Sequence, residues 1–238
     1  MSINECQTIK SELQKFIGIF FSPISTLYRI NKNPTFIFPI LIIILCLITL
    51  SILTYDIEIL DKISQQSSKA SVEHTELLQE WLVKGWIKYI QVVVIPIYYL
   101  MTWSILGWIL MSLGNSISDN KSNYKTIFAI VCWSNFITLI RETVRTIMIL
   151  QKETTENIVT SLAIFMPLPE IPGKESLLYL VLNKFDIFTI WQLILIITGI
   201  SITFKIQSKK SALYICSLWG VWVIISVTFR HWINNTLH

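Results

Sequence analysis

The residues with the greatest potential for chemistry are Arg141, Glu142 and Arg145, which interrupt the apolar stretch 126–150. On a helix, Arg141 and Arg145 lie one turn apart and Glu142 lies three residues before Arg145, so their side chains can form an ion network. Because an arginine at the bilayer centre costs about 2.5–3.5 kcal/mol on insertion scales, it usually faces a partner or a cavity. The alternative is that the arginines snorkel to the outer headgroups, since Arg141 lies about 21 Å into a hydrocarbon core of about 30 Å.

No other residues are arranged for catalysis. An intramembrane protease needs a serine or paired acids with a base, or a His-Glu-x-x-His zinc helix. The three histidines, His74, His231 and His238, lie outside the apolar runs, and no glycine-rich phosphate loop occurs. The four cysteines have no metal-ligand spacing and are interpreted as small packing residues. We therefore expect a non-enzymatic protein without a metal, a cofactor or a nucleic-acid partner.

The elements that position the charged residues are membrane spans. The chain of 238 residues is 53% hydrophobic and only 14% charged, whereas soluble domains carry about 25% charged residues. The apolar runs predict an all-α integral membrane bundle of five transmembrane helices, at about 36–54, 89–113, 126–147, 187–204 and 212–229. The fourth is the clearest, because Asp186 is a suitable N-cap and three lysines, Lys205, Lys209 and Lys210, follow its end.

Residues 1–35 are predicted to form a cytoplasmic amphipathic helix pair in the membrane interface, before a membrane domain at 36–230 and an external tail at 231–238. Apolar residues recur at helical spacing over 5–32, and Lys10, Glu12 and Lys15 fall between them, on the polar side. Ser22-Pro23 should divide the pair, with Ser22 capping the second helix. A core helix of a soluble domain is the alternative, but too little chain precedes the first span to build one.

Two small-residue pairs predict where spans pack closely. Gly199-x-x-x-Thr203 lies in the fourth span and Cys216-x-x-x-Gly220 lies in the fifth. Both fit the small-xxx-small pattern that lets helix backbones approach each other in lipid.

The distribution of Lys and Arg orients the chain. The amino end, the 114–125 loop and the 205–211 turn hold nine such residues against three acids, and the opposite side holds ten against twelve. The positive-inside rule then places the amino terminus in the cytoplasm and the carboxyl terminus outside. Termini on opposite sides of the membrane require an odd number of spans, and five spans meet this requirement.

Three stretches of the chain resemble the Yip family, small multispanning proteins named for interaction with Rab-type GTPases. They are Phe21-Ser22-Pro23 before a helix ending at Asn33-Pro34, Phe185-Asp186-Ile187-Phe188-Thr189-Ile190-Trp191, and Gly199 followed by the Lys205–Ala212 turn. The resemblance covers about residues 16–230. The Asp-Leu-Tyr-Gly-Pro motif of eukaryotic members is absent, so the chain is most similar to the bacterial branch.

The resemblance implies a bacterial plasma-membrane protein without catalytic residues. Some bacterial members accompany ABC-type export machinery, which implies a membrane adaptor or assembly protein that binds other membrane components, including exporter subunits. Without the eukaryotic motif, GTPase binding is not implied. The rival function is a small transporter or channel, which needs a pathway lined with polar groups.

The predicted topology can be tested by labelling single-cysteine variants in intact cells. Cysteines at Lys121 and Lys209 should be protected from an impermeant reagent, because positive loops stay in the cytoplasm. Cysteines near Ala70 and in the tail should be labelled. Labelling of position 209 from outside would refute the five-span arrangement.

Overall fold

A computed structural model describes residues 3–67, 86–156, 158–167 and 176–237. Nine α-helices lie in these ranges: α1 Ile3–Phe21, α2 Pro23–Lys32, α3 Ile37–Ser67, α4 Gln91–Ile117, α5 Tyr124–Ser134, α6 Phe136–Lys152, α7 Leu177–Leu182, α8 Ile187–Phe204 and α9 Ser208–Leu237. Short 3₁₀ helices occupy Trp86–Ile90 and Leu162–Phe165. His74 and position 70 lie outside the described residues.

Within the described ranges, five helical segments are long and apolar enough to cross a membrane, which confirms the predicted all-α membrane bundle. They are Ile37–Asp61, Lys88–Ile117, Tyr124–Lys152, Ile187–Phe204 and Ser208–Ile233. The first was predicted to end near Thr54, but α3 continues to Ser67 through three acidic residues. Charges alone do not end a helix, and neither glycine nor proline occurs between 54 and 67 to do so. The division at 35/36 and 230/231 stays a prediction.

The described chain divides into two compact units. The first unit comprises Met1–Ile43, Tyr98–Thr138 and Ile190–Trp219, and the second comprises Ile44–Ile97, Leu139–Thr189 and Gly220–His238. In the first unit, α5 is the core element, because every residue from Thr126 to Ser134 is buried. Asn123 begins this helix by accepting from the Thr126 backbone N–H at 3.0 Å, as an N-cap does.

The third span is not one continuous helix. It is interrupted at Asn135, between α5 and α6. The Asn135 backbone N–H is shared by the carbonyls of Val131 and Cys132, each at 3.2 Å. A change of hydrogen-bonding register inside a span of this kind commonly marks a functional position.

The fourth span begins and ends with specific caps. The Asp186 carboxylate accepts from the Phe188 N–H at 3.1 Å, so its predicted capping role is confirmed. At the other end, Lys205 adopts a left-handed conformation with φ 52, and the Ile206 N–H donates to the Ser201 carbonyl at 3.2 Å. This is the Schellman arrangement, which satisfies carbonyls that a helix end leaves unpaired.

The 118–120 loop completes the carboxyl cap of α8. The Ser118 hydroxyl donates to the Phe204 carbonyl at 2.7 Å, and the Asn120 side-chain amide donates to the Thr203 carbonyl at 2.7 Å. The Thr203 hydroxyl lies 2.9 Å from Asn31 Oδ1 on α2. Three separate segments of the first unit therefore meet at Thr203.

The amino-terminal pair divides at Ser22 as predicted, but two details differ. The Ser22 side chain makes no capping bond; its carbonyl accepts from the Thr26 N–H at 3.1 Å instead, with Pro23 fixing the first helical turn. Glu12 and Lys15 were expected on a polar outer side, yet both are buried. The expectation failed because the two opposite charges neutralise each other inside the protein.

The close approach predicted at Gly199 can be tested with a matched pair of glycines. A Cβ on Gly199 would lie 2.5 Å from Cγ2 of Ile130, whereas a Cβ on Gly220 meets nothing within 4 Å. Gly199→Ala should lower the free energy of unfolding by about 1–3 kcal/mol, as overpacking does. Gly220→Ala is the control and should not lower the free energy of unfolding, because alanine favours a helix interior over glycine by about 1 kcal/mol. Thermal unfolding in detergent measures both variants. Equal effects of the two substitutions would contradict close packing at Gly199.

Candidate functional site

The three charges predicted on the third span lie together on α6, in the second unit. Arg141 Nη2 is 3.0 Å from Glu142 Oε1, and Arg141 Nε donates to the same oxygen at 3.1 Å. Arg145 Nη1 is 3.9 Å from Glu142 Oε2. Glu142 therefore lies between two arginines: Arg145 at the i,i+3 spacing of helix neighbours, and Arg141 directly before it in sequence.

A fourth charge, Glu58 of α3, belongs to the same cluster. Arg145 Nη1 lies 3.3 Å from Glu58 Oε1, closer than it lies to Glu142. Sequence reasoning missed Glu58 because it was assigned to the segment after the first span. Its position one helical turn past the apolar run, on the side of the membrane predicted to be nearer Arg141, was the available signal.

We call these four residues the ion network: Glu58, Arg141, Glu142 and Arg145. It holds two positive and two negative charges, so it is neutral as a group. Its side chains are only partly buried, with 45% of Arg145 and 31% of Arg141 exposed. Guanidinium groups have five donors in a rigid fork, so exposed donors of both arginines can still receive an acceptor from another molecule.

A second charged cluster, missed by sequence reasoning, lies in the first unit. Lys15 Nζ donates to Glu12 Oε1 at 2.8 Å and to Thr35 Oγ1 at 2.8 Å. The Thr35 hydroxyl in turn donates to the Glu12 carboxylate, with Oε2 at 2.8 Å. Only 3% of Lys15 and 6% of Glu12 are exposed, so their charges are removed from water and depend on each other.

Trp133 connects this buried pair to the core helix α5. Its indole N–H donates to the Thr35 carbonyl at 2.8 Å, and Lys15 Nζ lies 6.0 Å from the centre of its ring. A fully buried tryptophan needs such an acceptor for its N–H. The pair thus holds α1 and the segment before α3 against α5. The i,i+3 spacing of Glu12 and Lys15 was a signal for the pairing, but not for its burial.

A third polar group surrounds the break at Asn135. Gln192 Nε2 of α8 donates to Asn135 Oδ1 at 3.0 Å. The Thr138 hydroxyl is 3.3 Å from both Asn135 Oδ1 and Gln192 Oε1. Asn135 itself donates to the Val131 carbonyl at 2.8 Å. These amides are the main polar cross-link between α5 and α8, and neither amide was singled out from the sequence.

The two small-residue pairs differ in their surroundings. Gly199 and Thr203 are buried in the first unit, with Gly199 against Ile130. Cys216 is exposed, and no atom approaches the space a Gly220 side chain would fill. Packing of another helix against Cys216 and Gly220 stays a prediction.

The residues described here contain no group of three or more His, Cys, Asp and Glu that could hold a metal ion. Within the same ranges, every fully buried side-chain polar atom has a hydrogen-bond partner. The ion network differs from the other two clusters above in that its arginines are still partly accessible from outside the protein.

Comparison with known protein families identifies the family of the chain. A family model described as Yip1 domain matches residues 17–229. No curated protein and no solved structure matches the chain.

The buried Glu12–Lys15 pair predicts a large effect of a single substitution. Lys15→Met leaves Glu12 buried without its counter-charge and should destabilise the protein by about 3–5 kcal/mol. Adding Glu12→Leu should recover most of that loss, because the unpaired charge is then gone. Lys10→Met, on the exposed side of the same helix, is the control and should change stability by about 0.5 kcal/mol or less. A loss in Lys15→Met no larger than in the control, by thermal unfolding, would show that the pair is not buried.

Proposed function

Because the chain belongs to the Yip1 domain family, whose members are generally non-catalytic membrane proteins, we propose that it is an adaptor that binds other membrane proteins through the ion network. We place it in the bacterial plasma membrane, with the amino terminus in the cytoplasm and the carboxyl terminus outside. ABC-type exporter subunits are the proposed partners.

The observation that carries this proposal is the incomplete burial of the ion network. A charge inside a transmembrane region is retained when it faces a partner, a cavity or the headgroups. Arg145 is 45% exposed while bound to Glu58 at 3.3 Å, so it is held in place by protein and still open to a ligand. A carboxylate or carbonyl oxygen on a neighbouring membrane helix can accept hydrogen bonds from the remaining N–H groups of Arg145.

One feature of the network suits an adaptor better than a lipid anchor. An arginine that only snorkels extends toward phosphate and needs no acid beside it. Here each arginine lies within 3.3 Å of a carboxylate. These ion pairs hold both arginines against the protein, which supports recognition of a partner at a defined position.

A photo-crosslinking experiment tests this proposal. A photoreactive amino acid replaces Met148, a half-buried residue three positions after Arg145 and therefore on the same side of α6. Irradiation of native membranes should give discrete products with other membrane proteins, identified by mass spectrometry. Adding Arg145→Gln should reduce these products several-fold, because the partner loses its charged contact.

The same photoreactive residue at Val93, exposed on α4, is the control and should give products that Arg145→Gln does not change. Products at Met148 that contain only lipid, or that persist unchanged in Arg145→Gln, would refute an adaptor role for the network. Discrete products that depend on Arg145 but lack exporter subunits would refute only the proposed partner.

A small transporter is the second candidate, and one observation favours it. Asn135 interrupts the third span beside Gln192, and broken helices with polar side chains form substrate sites in transporters. These amides bond to each other and to backbone, which leaves the adaptor as the better-supported function. If the chain transports a solute, Gln192→Leu should abolish flux of that solute into proteoliposomes. An adaptor gives no flux either with or without the substitution.

A further inference from the structure

The first unit exposes apolar side chains along one line of α1 and α2. We call the following residues the apolar stripe: Ile9, Leu13, Ile17, Phe21, Ile24 and Tyr28, which are between 45% and 84% exposed. Their spacing of three or four residues places them on one side of each helix. An amphipathic helix with such a side lies in the interface of a membrane.

The charges that remain exposed in the first unit are almost all positive. We call the exposed cations the basic rim: Lys10, Arg29, Lys32, Lys121, Lys125, Lys205, Lys209 and Lys210. Among the residues of this unit with described exposure, Asp119 is the one exposed acid, because Glu12 is buried against Lys15. The buried pair removes one charge of each sign from this surface, so the exposed charges around the apolar stripe remain mainly basic.

Hydrogen bonds bring separate parts of the basic rim together. Thr203 contacts Asn31 of α2 and Asn120 of the 118–120 loop. Each of these residues lies within two positions of an exposed lysine, namely Lys32, Lys121 and Lys205. Three basic segments therefore converge, which a lone amphipathic helix would not achieve.

We propose that the apolar stripe and the basic rim form a docking surface for anionic phospholipid, with acyl chains against the stripe and phosphate headgroups against the rim. Complementarity of charge favours this occupant, since basic clusters beside transmembrane helices attract anionic lipid. The surface lies in the first unit and uses none of the ion-network residues, so the inference is independent of the adaptor function.

Thermal unfolding of the full chain in a neutral detergent tests this inference. Adding phosphatidylglycerol should raise the unfolding midpoint by several degrees more than phosphatidylcholine of the same acyl length. The reason is that only the anionic phosphatidylglycerol binds the basic rim. Sodium chloride at about 0.5 M should remove the difference by screening exposed charges. Lys32→Gln with Lys205→Gln should remove at least half of it.

Lys88→Gln with Lys152→Gln, two cations of the second unit, is the matched control and should keep the full difference. If the variant with Lys32→Gln and Lys205→Gln is unstable without lipid, the salt dependence of the parent protein still shows whether exposed charges bind the lipid. Equal shifts with the two lipids, a shift insensitive to salt, or an equal shift with inorganic phosphate would each overturn the inference. The last result would identify a site for a free anion rather than a lipid surface.

Discussion

The structure depends on one constraint: a polar group in the hydrocarbon core has no water to bond and must find its partner within the protein. The break at Asn135 shows this most directly, because its amide bonds to Val131 and Gln192 rather than facing lipid. At the carboxyl end of α8, Ser118 and Asn120 likewise satisfy backbone carbonyls from within the protein. Polar residues consequently connect membrane spans whose other residues are mainly apolar.

The two charged clusters satisfy this constraint to different degrees. Glu12 and Lys15 are almost fully enclosed, and their pairing holds the amino-terminal helices against α5. Arg145 and Arg141 are paired but remain partly exposed. A closed pair specifies internal structure, whereas an open network retains donors for another molecule. This difference is why function is assigned to the second cluster and packing to the first.

Hydropathy and helix-end chemistry predicted the five spans, the division at Ser22-Pro23 and the cap at Asp186, because these depend on local sequence. The missed features depend on which helices meet. Glu58 lies more than 80 positions from Arg141, and nothing local indicates that α3 and α6 bring them together. Glu12 and Lys15 have the spacing of an ordinary surface pair, so their burial follows only from Thr35 and Trp133. The cluster of Arg141, Glu142 and Arg145 was predicted from the sequence, whereas Glu58 could be assigned to it only from the structure.

Arg145 contacts Glu58 of a second helix at 3.3 Å, and the adaptor function requires that this contact, rather than lipid headgroups, holds the guanidinium in place. A double-mutant cycle with Glu58→Gln and Arg145→Gln tests this, with unfolding free energies of the parent, both single variants and the double. We expect a coupling free energy of about 0.5–3 kcal/mol, as for residues in direct contact in one network. A coupling of zero within error, with neither single variant destabilised, would instead show that Arg145 is a lipid anchor.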